Sequence, residues 1–351
     1  MDIEFHYYIT YLIAVRAGFS SKEAYLLAYS SQYVDDNDMV FEISSDTNRN
    51  YRNYISQTMN ILKPKLKLFR IYPIFHFIPG EPMADSTRRK DGKLHYLNTT
   101  PDSKNARMIL NLALQSGDIY QVGIASHGYA DSWAHQNFVG YYDEFNTIKK
   151  NILKRLKPRI GHAGAGHKPD RVGLSWTDYR LAKSLRDIDN NKRFLQAAAS
   201  MFDVFRKYLQ PDCSQERCSN EQDDLIADLS QAISTDLSRE ERISAYRKLA
   251  ISDKYGGEQL IEYDMDAWMD EAVSENVRGF RIRSKTKILR FIKNKISGAF
   301  KPIKDTYTWK DKQNYQNTNW FRFQEAVKAH QKETGDFLYD TVFHKLELEN
   351  W

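Results

Sequence analysis

The chain has 351 residues, 41% hydrophobic and 28% charged, with a net charge of +5; that length can bury a substantial core, as one large domain or two smaller ones. No apolar run approaches the roughly 20 residues of a membrane span, and the opening Asp2 and Glu4 do not suit a secretory signal, so a cytoplasmic location is expected, with signal-independent export left open. The two cysteines, Cys213 and Cys218, are too few for a Cys-only zinc site and either pair or stay reduced.

Long segments follow the helical period and clean two-residue alternation is rare, so the expected class is all-α, a multi-helix bundle with long loop-rich excursions. A first helix spans 3–17 and stops at Gly18. Ser20 and Glu23 have capping-box spacing and open a second helix toward Tyr33. Residues 64–102 hold five of the nine prolines and read as an irregular excursion. Helices return over 106–116 and 119–138, and 157–175, with four glycines and two prolines, is irregular again. One long helix or a kinked pair is expected over 177–209, and Ser238 with Glu241 caps a further helix over 242–250. A polar stretch at 211–222 marks a soft boundary.

The N-terminal half carries seven of the nine histidines. His127, Asp131 and His135 stand at i, i+4 and i+8, which drift only about 40° per step around a helix and so share one face. Imidazole nitrogen and carboxylate oxygen suit zinc or a similar first-row ion, and Asp131 is central enough to bridge two ions. The bland alternative is a set of hydrogen-bonded polar residues at a helix interface. His6 lies twelve residues before Gly18 and Asp35 fourteen after Ser21. In a helical hairpin those rises are about 18 and 21 Å, so both reach the same open end. Asp36 competes with Asp35 for the inward position, and a solvated helix terminus accounts for either. His76 and His95 compete for one further ligand position.

Phe5-His6, Tyr33-Val34-Asp35, Phe75-His76-Phe77-Ile78 and His127-x-x-x-Asp131 occur in the order found in the zinc-dependent phospholipases C and P1-type nucleases. The chain resembles that superfamily over about residues 1–170. It also resembles members of an uncharacterised bacterial family that open with an FHYYIT-like helix. The resemblance implies a helical core around a zinc cluster, with His6, Asp35, His76, His127 and Asp131 about two ions. It also makes Asp131, as bridge, and Asp35 the catalytic carboxylates, and offers His135 and His162 for a further ion. Family enzymes use an N-terminal Trp as a ligand, whereas this chain begins at Met1. His162-x-x-x leads to Gly166 where the family has a carboxylate, so His167 or Asp170 would have to complete a third site. Two zinc ions are therefore favoured, with three as the alternative.

The implied activity is hydrolysis of a phosphodiester, in phospholipid or nucleic acid, by metal-activated water. Two rivals stand beside it: a metal-dependent hydrolase of another bond such as an amide, and a non-catalytic helical protein with a structural metal. The expected organisation is a metal-binding catalytic region over 1–210 and a helical region over 211–351, separate or packed as one domain. Within 278–304 there are ten Lys and Arg and no Asp or Glu, which leaves the rest of the chain at −5 (+5 minus +10). Arg290, Lys293 and Lys295 flank an apolar helical stripe there, a pattern suited to an anionic membrane and less to nucleic acid, since aromatics are few. A merely solvated helix face is the plain alternative.

Overall fold

The apolar N-terminal stretch folds as a π-helical segment, Glu4–Ile9, that runs straight into α1, Thr10–Ala17. α1 ends where Gly18 adopts a φ of 119°, open to glycine at little cost, and returns its N–H to the carbonyls of Ala14 and Val15. Ser20 then starts α2, Ser21–Asp36, with a complete capping box: its hydroxyl accepts the Glu23 N–H, and the Glu23 carboxylate accepts the Ser20 N–H. The two helices pack against each other as a hairpin. This computed structural model describes residues 1–44, 50–58, 68–148, 159–276 and 306–346.

The remaining α-helices among the described residues are α3, Tyr72–Phe75; α4, Lys104–Ser116; α5, Ile119–Ala134; α6, Asn190–Leu209; α7, Gln215–Ala232; α8, Arg239–Ile251; α9, Ala267–Ala272; and α10, Asn319–Thr341. Side-chain caps at Ser103, Asp118, Asp189, Ser214, Ser238 and Thr318 satisfy first-turn N–H groups of six of them. Cys213 and Cys218 are joined as a disulfide at the start of α7.

The molecule is mostly helical, and the all-α expectation is corrected by two small sheets. β1 (Glu42–Ser44), β2 (Tyr51–Arg52), β5 (Val273–Asn276) and β6 (Thr306–Trp309) form one sheet in the order β2-β1-β6-β5. Among the described residues β1 and β6 are its parallel pair, in the register Ile43 to Tyr307, and the other pairs are antiparallel. β3 (Ser175–Thr177) and β4 (Asp187–Asp189) form an antiparallel pair with Trp176 opposite Ile188. Strands of two to four residues are too short to show alternation, which is why the sequence hides them. The expected helix over 177–209 is likewise corrected: its first part is the β3–β4 hairpin, and α6 begins only at Asn190. Residues 181–186 include good helix formers, but strand pairing and the Arg180–Asp178 ion pair override their propensity.

One hydrophobic core joins Leu12, Leu27, Ile124 and Phe202 with Leu229, Trp268 and Phe323, so residues on both sides of the 211–222 stretch share it. A second cluster of Phe77, Phe138, Trp176, Leu181 and Ile188 underlies the loops. Among the described residues no helix is long and apolar enough to cross a membrane. The basic stretch with Arg290, Lys293 and Lys295 lies outside the described residues.

α5 is the axis of the fold. Every residue from Tyr120 to Ala134 is buried, and α2, α4, α6 and α10 pack around it. Gly123 sets the closest approach: a Cβ there would lie 2.5 Å from Ser30 Cβ and nearer still to the Leu27 carbonyl oxygen. One turn further on, the same contact brings His127 against the backbone of Ser31. We expect Gly123→Ala to cost about 1–3 kcal/mol or more through overpacking. Gly335→Ala in α10, where the added Cβ meets only Ile74 Cδ1 at 3.8 Å, should gain about 0.5–1 kcal/mol. Denaturant unfolding measures both, and wild-type stability for Gly123→Ala would refute the close-packing account.

Candidate metal centre

α5 carries His127 and Asp131 one turn apart, and its C-cap, His135, adds a third polar group where the helix stops. His6 comes from the π-helical segment, Asp35 from the last turn of α2, and His76 from the C-cap of α3. His162 and Asp170 come from the glycine-rich loop. His6 and His127 are fully buried, and their rings stack with centroids 3.8 Å apart.

The hydrogen bonds fix which imidazole nitrogens carry protons. Carbonyl oxygens only accept, so a ring nitrogen bonded to one must be N–H. His127 Nδ1 donates to Ser31 O at 2.8 Å and His76 Nε2 to Ser56 O at 3.0 Å. His135 Nδ1 donates to His76 O at 2.8 Å and His162 Nδ1 to Gly166 O at 2.9 Å. In the neutral rings the opposite nitrogens are then bare lone pairs. Those of His127 Nε2 and His76 Nδ1 face each other at 2.9 Å, and His135 Nε2 faces a carboxylate oxygen of Asp170 at 3.1 Å. Lone pair against lone pair, or against a carboxylate, is repulsive without a cation between them. A histidine whose second nitrogen donates to a carbonyl is also the usual state of a metal ligand.

Asp131 stands at the centre. Its Oδ1 lies 3.2 Å from His6 Nε2, and its Oδ2 lies 3.2 Å from His127 Nε2 and 3.4 Å from both His76 Nδ1 and His135 Nδ1. The two oxygens thus face different sets of nitrogens, the layout a bridging carboxylate needs. The buried ammonium of Met1 is paired with Asp131 and lies 3.6 Å from Asp170. Its lost hydration opposes that charge, but Asp131, Asp170 and Asp35 outweigh the loss and push its pKa up to about 10. Three groups have ligand atoms all within 4.8 Å of one another: His6, His127 and Asp131; Asp35, His76 and His127; and His135, His162 and Asp170. The donor types fit zinc-like ions in all three.

Asp36 is turned away, accepting from Gln32 Nε2 and Tyr263 OH at 3.0 and 2.8 Å. His95 sits elsewhere, 3.6 Å from Asp143, and His167 is exposed outside the groups. The structure therefore separates Asp36, His95 and His167 from the centre and brings Asp170 into it. Two participants carry no motif: the Met1 ammonium, and the Arg242 that holds the buried Glu4 by paired bonds of 2.7 and 2.8 Å, two residues before His6.

A family model matches residues 1–336. The chain belongs to the family of unknown function DUF6765. The family's match covers every residue of the three groups. No curated protein and no solved structure matches the chain.

Burial sets the direction of the shift at His6, His330 and Asp2, whereas neighbouring charges override it at Met1, Asp131 and Asp170. Burial lowers His6 to about 3, aided by the nearby His127 and Met1 charges and opposed by Asp131. His330, buried beneath Phe75, falls to about 4 for the same desolvation reason. Asp2 moves the other way, raised by burial and by Glu4 to about 7. Depressed histidines leave the unfolded state binding more protons below its value of 6.5, so their stability is lost as pH falls; Asp2, raised, works against them. His95 and His135 are lowered by burial as well, so four depressed histidines stand against the raised Asp2 carboxyl. We expect the chelator-treated protein to lose stability steadily as pH falls from about 6.5 toward 4. Denaturation curves across that window check this, and a flat profile would contradict the desolvation of the buried histidines.

Proposed function

We propose that this protein is a metal-dependent hydrolase of phosphodiesters, with a core akin to the phospholipase C and P1 nuclease superfamily. The observation that carries the reading is the convergence of bare imidazole lone pairs on Asp131 and Asp170. The ordering of His6, Asp35, His76, His127 and Asp131 along the chain supports the family assignment.

In this reading His6, His127 and Asp131 would hold one divalent ion and Asp35, His76 and His127 a second, with Asp131 facing both sets, while His135, His162 and Asp170 would hold a third. Divalent ions bound there supply Lewis acidity, acidifying a water molecule and offsetting charge on phosphoryl oxygens. The side chains of Asp35, His162 and Asp170 are 22%, 20% and 12% exposed, against 2% for Asp131. Substrate therefore approaches on the Asp35 and His162 side, and Asp35 is the carboxylate placed to take a proton there. The buried His6 and His127 orient Asp131 and exclude water behind it. Deep burial of that first group favours a second reading, a closed structural ion, which an open catalytic edge does not require.

Elemental analysis of the purified protein should find at least two zinc-like ions per chain. Asp131→Asn should lose both metal and turnover of a chromogenic phosphodiester, and Asp35→Asn should lose turnover while keeping more of the metal. Equal metal content in wild type and Asp131→Asn would sink the bridging role. Metal without turnover of diesters, short-chain phosphatidylcholine, single-stranded DNA or amides would leave the structural-ion reading.

A further inference from the structure

Residues 88–90 and 180–182, about ninety positions apart, pair as a short antiparallel ribbon. Lys90 N–H donates to Arg180 O at 3.0 Å, Ala182 N–H to Arg88 O at 2.9 Å, and Arg89 lies opposite Leu181. Between them, segments 88–96 and 179–186 carry seven Lys and Arg and a single acid, Asp91, which is occupied by Arg89. The buried side of the ribbon is anchored beside the metal centre. The Arg89 and Arg180 guanidiniums each donate to Phe145 O at 3.0 Å, and Arg180 lies 4.0 Å over the Phe138 ring. Phe138 in turn meets the edge of His162, ring centroids 6.1 Å apart.

The outer side is charged and aromatic. Arg88, Lys90, Lys93 and Lys183 are exposed, as are Tyr96 at 63% and Tyr179 at 50%. Neither tyrosine is needed by the core, since the second hydrophobic cluster beneath them is built from Phe77, Phe138, Trp176, Leu181 and Ile188. We propose that this ribbon binds single-stranded nucleic acid and leads its backbone to the metal centre. Arg89, Arg180 and Arg186 pair with Asp91, Asp178 and Asp187, which leaves the exposed Arg88, Lys90, Lys93 and Lys183 to complement a phosphate chain. Tyr96, and the face of Tyr179 away from Arg186, offer rings on which any base stacks. A lipid surface would call for an apolar wedge; on the two segments Leu94 is the exposed aliphatic side chain, so the balance of side chains favours bases. The assignment deepens the phosphodiesterase reading and rests on it for the reaction, though not for binding.

The test is fluorescence anisotropy of labelled oligo(dT) with the full-length protein in chelator, where no turnover occurs. Wild type should bind at low salt, and Lys90→Gln/Lys93→Gln/Lys183→Gln should bind about tenfold or more weakly, its salt slope flattened by about two, at ~0.7 per lost phosphate contact. Tyr96→Ala/Tyr179→Ala should weaken binding about fivefold or more per stacked base, with the salt slope unchanged. All five side chains are exposed, so thermal midpoints and metal content should match wild type. Absence of oligonucleotide binding by wild type overturns the proposal even if diesters are hydrolysed, as does equal binding by the lysine variant. So does a lysine variant that loses binding to anionic phosphatidylserine vesicles while keeping oligonucleotide affinity. Oligonucleotide binding by a wild type that, purified without chelator, holds no metal would instead overturn the hydrolase reading and leave the ribbon standing.

Discussion

Two imidazole nitrogens, His76 Nδ1 and His127 Nε2, face each other at 2.9 Å beside a carboxylate that is 2% exposed. Each ring has committed its other nitrogen to a backbone carbonyl, so the pair cannot relieve the repulsion by changing tautomer without giving up a buried hydrogen bond. The same commitment recurs at His135 and His162. Much of the surrounding fold works to hold these rings in place: the glycine contact between α5 and α2 fixes the carbonyl that His127 uses, and Phe77 stacks on His135 with centroids 4.4 Å apart. A protein that needed only buried polar residues would satisfy them with each other. Here the Met1 ammonium answers the charge of Asp131, while the facing nitrogens of His76 and His127 could hold a metal ion.

The region after residue 210 is tied to this centre through charge as well as apolar packing. Arg242 and Tyr246 of α8 grip Glu4, whose carboxylate is otherwise sealed from solvent. Breaking one partner of such a pair leaves an uncompensated buried charge, a cost of several kcal/mol. The N-terminal segment that carries His6 therefore depends on α8 for its position, although the two lie more than two hundred residues apart.

The sequence carried the local half of this picture. The i, i+4, i+8 spacing of His127, Asp131 and His135 and the capping boxes at Ser20 and Ser238 are short-range signals with a counterpart in the structure. His6 and Asp35, matched in height along the helical hairpin, fall instead in separate ligand groups that share His127. Asp35 and Asp36 could be weighed but not separated, because a fraction of a helical turn decides which faces inward. What stayed hidden depends on partners far along the chain: the β1–β6 pairing, the β3–β4 hairpin that replaces the start of a helix, and the grip of Arg242 on Glu4. The sequence offered His167 and Asp170 alike to complete the site of His135 and His162, and only the fold selects Asp170.

The burial of α5 on every side has a kinetic consequence. Amide hydrogens exchange slowest where opening requires global unfolding, and a helix packed all round belongs to that class. An ion seated between His6, His127 and Asp131 could leave only when that helix loosens, so its residence time would follow the unfolding rate of the whole domain. The position formed by His135, His162 and Asp170 is different, because two of its donors ride on a loop and keep some contact with solvent. One centre would then hold ions of two labilities, an inner one trapped by folding and an outer one free to exchange with the medium.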